Sequence, residues 1–71
     1  MEVLIFRTDI NSTIGLSLLK TLFNKMWQIK SWSVDLEDDE KVLRVESVHL
    51  SADKIAGMVT GLGISCRELE G

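Results

Sequence analysis

The chain has 71 residues, 45% of them hydrophobic and 27% charged, which is typical of a folded protein and too apolar for a disordered chain. Two units of half this length would each bury too little surface to fold, so we expect one domain over residues 1–71. The net charge of −3 argues against a nucleic-acid partner, because such binding depends largely on Lys and Arg side chains that neutralise phosphates.

The first third of the chain predicts a strand followed by a helix. The strand is VLIFRT, residues 3–8, which is rich in β-branched and aromatic side chains and too short for a helix. From Ser12 the apolar residues recur with the helical period, which predicts an amphipathic helix over residues 12–26 with Asn11 or Ser12 as its N-cap.

The middle third predicts a β-hairpin over residues 30–46. The stretch IKSWSVDL alternates, with Trp32, Val34 and Leu36 on one side. EDDEK reads as a polar turn, and VLRVES resumes the alternation with Leu43 and Val45 facing one way.

The last third predicts a second helix and a closing strand. Ser51 is the expected N-cap, and the apolar stripe consists of Ile55, Met58, Val59 and Leu62. Gly63 suits the left-handed conformation that ends a helix, and ISCREL is a short strand.

The resulting order, β-α-β-β-α-β, predicts an α+β sandwich. Right-handed crossovers place both helices on one face of a four-stranded antiparallel sheet, which is the ferredoxin-like fold with strand order 4-1-3-2. This order brings residues 9–13, the EDDE turn and residues 62–64 to one end and His49 to the other.

The chain resembles the heavy-metal-associated domain of soluble copper chaperones and of transport-ATPase N-terminal modules. The resemblance rests on I-N-S-T-I-G after the first strand, on IKSWSVDL and VLRV, and on the L-G-I that ends the second helix. In that family the corner after the first strand carries Met-x-Cys-x-x-Cys, whose positions fall here on Ile10, Ser12 and Gly15. The resemblance therefore implies metal trafficking as biological context.

The two family cysteines are absent from this corner. Thiolates at a helix N-terminus bind Cu(I) or Zn(II), and neither the hydroxyl of Ser12 nor the hydrogen of Gly15 can replace them. We therefore expect no cofactor and no metal at this position. The sequence also lacks a nucleophile–base pair and a glycine-rich phosphate loop, so we expect no enzymatic activity.

Cys66 and His49 are the remaining side chains that could bind a soft metal. We expect Cys66 to face the helices as a small apolar group and His49 to be solvated at the other end of the fold. One chain cannot bring them together, so a metal site based on Cys66 would need two chains.

Several residues are candidates for contact with a protein partner or in a weak homodimer. Ile14 is expected to expose an apolar side chain beside the corner, and the sheet face without helices is expected to carry a small apolar strip. The candidates are Ile10, Ser12, Ile14, Lys20 and Lys25 near the first helix, and Val3, Ile5 and Val42 in the strip.

The expected function is that of a small, non-catalytic interaction or adaptor module in a metal-trafficking context. One alternative is a metallochaperone-like carrier that uses Cys66 across a dimer, and another is a small-molecule-sensing regulatory domain of the same fold. A single cysteine, no apolar run of the ~20 residues that a membrane span needs and no signal-like N-terminus predict a cytoplasmic protein.

Overall fold

The computed structural model describes residues 1–69, which form a small α+β protein with four strands and two helices. The elements in chain order are β1 (Glu2–Thr8), α1 (Thr13–Phe23), β2 (Ile29–Val34), β3 (Leu43–Ser47), α2 (Ala52–Thr60) and β4 (Cys66–Glu68). This order agrees with the one predicted from the periodicity of the sequence.

The four strands form one antiparallel sheet in the order β2-β3-β1-β4. Counted from the opposite edge, this is the order 4-1-3-2. β1 is central, with Phe6 opposite Leu43 of β3 and opposite Glu68 of β4. The end of β1 therefore lies beside both the β2–β3 turn and the start of β4.

Both helices bury their apolar stripes against one face of this sheet, which we call the covered face. Phe6, Leu43 and Val45 alternate along β1 and β3 and are fully buried on this face. The helices complete the core with Leu19, Phe23, Ile55 and Val59. Trp32 of β2 packs edge-on against Phe23 at a ring-centroid distance of 5.4 Å.

The other face, which we call the open face, differs from the predicted apolar strip. Val3 and Ile5 have the expected parity on β1, but their partners on β3 are Glu46 and Arg44. Val42 precedes β3, and its carbonyl accepts a hydrogen bond from the Asp35 amide at 2.9 Å. The β3 residues opposite Val3 and Ile5 are thus charged and Val42 lies outside the strand, and a contact role for Val42 stays a prediction.

α1 is shorter than the predicted range of 12–26. It ends at Phe23, after which the Lys25 and Met26 amides donate to the Leu22 and Phe23 carbonyls in tight i→i−3 turns. Met26 nevertheless packs against the core. Its spacing from the apolar residues of α1 therefore marks a buried position and not a helical one.

β2 and β4 are also shorter than predicted. β2 ends at Val34, because the Asp35 carboxylate accepts a hydrogen bond from the Glu37 amide and starts the turn, which leaves Leu36 37% exposed. β4 begins only at Cys66, although Ile64 is buried in the core. Within residues 1–69, no helix has the length and apolar character needed to cross a bilayer.

Candidate functional site

The corner between β1 and α1 is fixed by hydrogen bonds to two other turns. The buried Thr8 hydroxyl donates to the Lys41 carbonyl and accepts from the Ile10 amide. The Asp9 carboxylate accepts from the Ser65 amide at 2.9 Å. Three segments that are distant in sequence thus meet at one end of the sheet, as predicted.

Ile10 fills the inside of this corner and is only 3% exposed. The prediction that Ile10 offers a contact surface is wrong, because its side chain belongs to the core. A Cβ atom placed on Gly15 would lie 3.2 Å from Ile10 Cγ2. The glycine therefore allows the first turn of α1 to approach the buried isoleucine closely.

Ser12 is the N-cap residue of α1, with an extended backbone, but its side chain accepts no hydrogen bond from the helix. It is exposed, and α1 carries no acidic residue in its first turn. Among residues 1–69, no three His, Cys, Asp or Glu side chains gather into a group that could hold a metal ion.

A shallow pocket of about 290 Å³, lined by both polar and apolar groups, opens at this corner; we call it the corner pocket. Its walls are formed by residues 9–12, by the exposed side of α1 and by the turn after α2. Ile14 and Leu18 form the rim with 73% and 40% of their surfaces exposed. They lie on adjacent turns of α1, four residues apart, and so share one side of it.

The exposure of Ile14 was expected from the helical wheel, whereas that of Leu18 was missed. Leu18 fits the helical spacing of the apolar residues of α1, but it is 40% exposed, whereas the adjacent Leu19 is fully buried in the core. The signal that could have identified it is the i, i+4 spacing from Ile14.

The two lysines predicted as contact candidates, Lys20 and Lys25, lie away from this rim. Lys20 is exposed in the last turn of α1 and is turned by about 200° around the helix axis from Leu18. Lys25 is exposed beyond the end of α1. The structure therefore does not combine the predicted basic and apolar candidates into one patch.

Cys66 is half-buried against the core, directly opposite Thr8 on β1. Burial disfavours the thiolate and raises the pKa of this thiol to about 11. At neutral pH the side chain is therefore protonated, which makes it a poor metal ligand and a poor nucleophile.

His49 is exposed at the other end of the sheet, two residues after Ser47, which ends β3 and pairs with Glu2. Its backbone has a positive φ of 58°, and its ring centroid lies 6.1 Å from that of the exposed Trp27. Cys66 and His49 are thus separated by the length of β1 and cannot share a ligand within one chain.

A second, larger groove of about 780 Å³ lies beside the corner pocket, where β1 and β4 meet the β2–β3 turn. We call it the arginine groove, after Arg7 and Arg67 in its wall. The spacing of residues along the chain does not predict this groove, because it depends on the pairing of β1 with β4.

Comparison of the chain with protein-family models, with curated proteins and with solved structures finds no match in any of the three.

Proposed function

We propose that this protein is a small non-catalytic binding module with a ferredoxin-like arrangement, similar to a heavy-metal-associated domain that lacks its metal ligands. Its contact surface is the corner pocket, and its ligand is an apolar side chain of a partner protein.

The observation that carries this proposal is the composition of the pocket rim. Ile14 and Leu18 expose apolar surface on adjacent turns of α1, next to the turn that contains Leu62. Burying this surface on association would remove apolar area from water, at about 25 cal/mol per Å². Thiolates at this corner would bind and transfer a metal ion, whereas apolar side chains at the same place can pack against another protein.

The polar groups at the corner are poorly suited to coordinate a soft metal ion. Asp9 already accepts a hydrogen bond from the Ser65 amide, and Ser12 presents a neutral hydroxyl. The single thiol of the chain, that of Cys66, has a pKa raised by burial and is protonated at neutral pH. These features favour a contact role over the alternative of a carrier that uses Cys66 across a dimer.

The metal half of the proposal is tested by an amide-resolved NMR titration of the reduced protein with Cu(I) and then with Zn(II). We expect no stoichiometric shifts at residues 9–18 of the wild type and clear shifts there in the Ser12→Cys/Gly15→Cys double variant. Gly15→Ala is the control for the steric cost of a side chain beside Ile10. Saturable wild-type shifts around Cys66 or His49 would instead identify a metal protein.

The contact half is tested by photo-crosslinking in cells with a benzophenone amino acid at position 18 and, in a matched protein, at position 20. Both positions are exposed on α1, but only the first lies in the pocket rim. We expect a discrete crosslinked product from position 18 that Ile14→Asp removes. Equal products from both positions would contradict a specific contact, and a product twice the size of the chain would identify a homodimer.

A further inference from the structure

All three arginines of the chain lie on the open face of the sheet. Arg7 of β1 and Arg67 of β4 are directly opposite each other in an antiparallel pair, and Arg44 lies on β3. Directly opposed residues project to the same face with Cβ atoms about 5 Å apart. A protein of negative net charge thus places its arginines together on one surface.

The opposed pair of Arg7 and Arg67 is unfavourable by itself. Like charges at directly paired positions destabilise a sheet. Arg44 is neutralised by Glu46 at 2.6 Å, which is the only salt bridge within residues 1–69. Neither Arg7 nor Arg67 has an acidic partner within that described part of the chain.

The arginine groove gives both guanidinium groups access to a ligand. Arg7 and Arg67 both line this groove, and Thr60 and Ser65 are also among its lining residues. Two carboxylates, Asp9 and Asp39, also line the groove. One of them, Asp9, is held by the Ser65 amide.

We propose that Arg7 and Arg67 form a binding site for an oxyanion, the phosphate or carboxylate group of a small molecule. Two planar guanidinium forks on neighbouring strands match the oxygens of such a group and can each donate two hydrogen bonds. The bound charge would also relieve the repulsion between the two arginines.

The site rests on Arg7 and Arg67 and the contact at the corner pocket rests on Ile14 and Leu18, so different residues carry the two proposals although Asp9 and Asn11 line both cavities. Either proposal can fail without affecting the other.

The test uses the side-chain Nε–H signals of the three arginines in a ¹⁵N–¹H NMR spectrum. The protein is titrated with inorganic phosphate, with succinate and with sodium chloride at matched ionic strength. We expect the Arg7 and Arg67 signals to shift together and to saturate with phosphate, with succinate or with both. The Arg44 signal, already paired with Glu46, is an internal control and stays in place.

Three conservative variants complete the test. Arg7→Lys and Arg67→Lys keep the positive charge but lose the fork, so we expect each to weaken binding about tenfold, the effect of one lost charge-assisted hydrogen bond. Arg44→Lys should bind as the wild type does. Equal shifts with chloride, parallel shifts of all three arginines, or unchanged affinity in both groove variants would overturn the proposal. Backbone amide spectra of each variant establish that the fold is retained.

Discussion

At the scale of single residues, Cys66 makes the stability of the fold depend on pH. Its thiol has a pKa raised by burial from 9.0 to about 11. The unfolded chain therefore releases this proton at lower pH than the folded chain does. The stabilising contribution is fully present below pH 9 and is lost as the pH rises towards 11.

We expect the free energy of unfolding of the wild type to fall relative to that of Cys66→Val between pH 9 and 11. Valine keeps the apolar contacts of the half-buried side chain without a titrating group. Urea denaturation of both proteins across this range measures the difference and cancels the titration of lysines, which both share. A difference that stays constant with pH would show that the fold does not perturb the thiol.

The corner residues show how far a sequence pattern can assign burial. Ile14 falls within the helical period, and its exposed position followed from the wheel. Ile10 lies in the loop before the helix, where no periodicity relates side-chain direction to position. Gly15 approaches Ile10 so closely that a Cβ atom on it would lie 3.2 Å from Ile10 Cγ2, a contact that the spacing of apolar residues does not encode.

At the scale of secondary-structure elements, the two helices start in different ways. The Ser51 hydroxyl accepts a hydrogen bond from the Lys54 amide at 3.1 Å, and Asp53 adds negative charge to the first turn of α2. Ser12 occupies the same position before α1 without such a bond. The residue type at both N-caps is the same, so the helices offer a matched comparison.

We expect Ser51→Ala to lower the free energy of unfolding by about 1 kcal/mol and Ser12→Ala to lower it by less than about 0.5 kcal/mol. The reason is that only the first change removes a hydrogen bond to an otherwise unpaired helix amide. Chemical denaturation of the two variants and the wild type in one buffer measures both values. A larger effect at position 12 would mean that its hydroxyl caps α1 in solution.

The ends of the elements were harder to predict than their type. Met26 continues the apolar spacing of α1 beyond the end of that helix, and Leu36 continues the alternation of β2 beyond the end of that strand. In one case tight turns follow Phe23, and in the other the Asp35 side chain starts a turn. Local hydrogen bonds decide where an element stops, whereas periodicity reports only which positions alternate or recur.

At the scale of the whole molecule, the order of elements was sufficient to predict an antiparallel four-stranded sheet with both helices packed on it. It was not sufficient to find the arginine groove. Arg7 and Arg67 are near opposite ends of the chain, and only the register of β1 with β4 places them side by side. A one-residue slip in that register would move one guanidinium to the covered face.

Two substitutions separate the repulsion between Arg7 and Arg67 from the effect of the net charge of −3. Arg67→Glu and Arg44→Glu make the protein more negative by the same amount, but the first creates an opposite-charge pair with Arg7 and the second breaks the pair with Glu46. In phosphate-free buffer of low ionic strength, we expect Arg67→Glu to raise the free energy of unfolding by about 0.5 kcal/mol and Arg44→Glu to lower it by a similar amount. Both effects should shrink in high salt, because exposed charges are screened. Urea denaturation at two ionic strengths measures them, and a loss of stability in both variants would mean that net charge outweighs the opposed arginines.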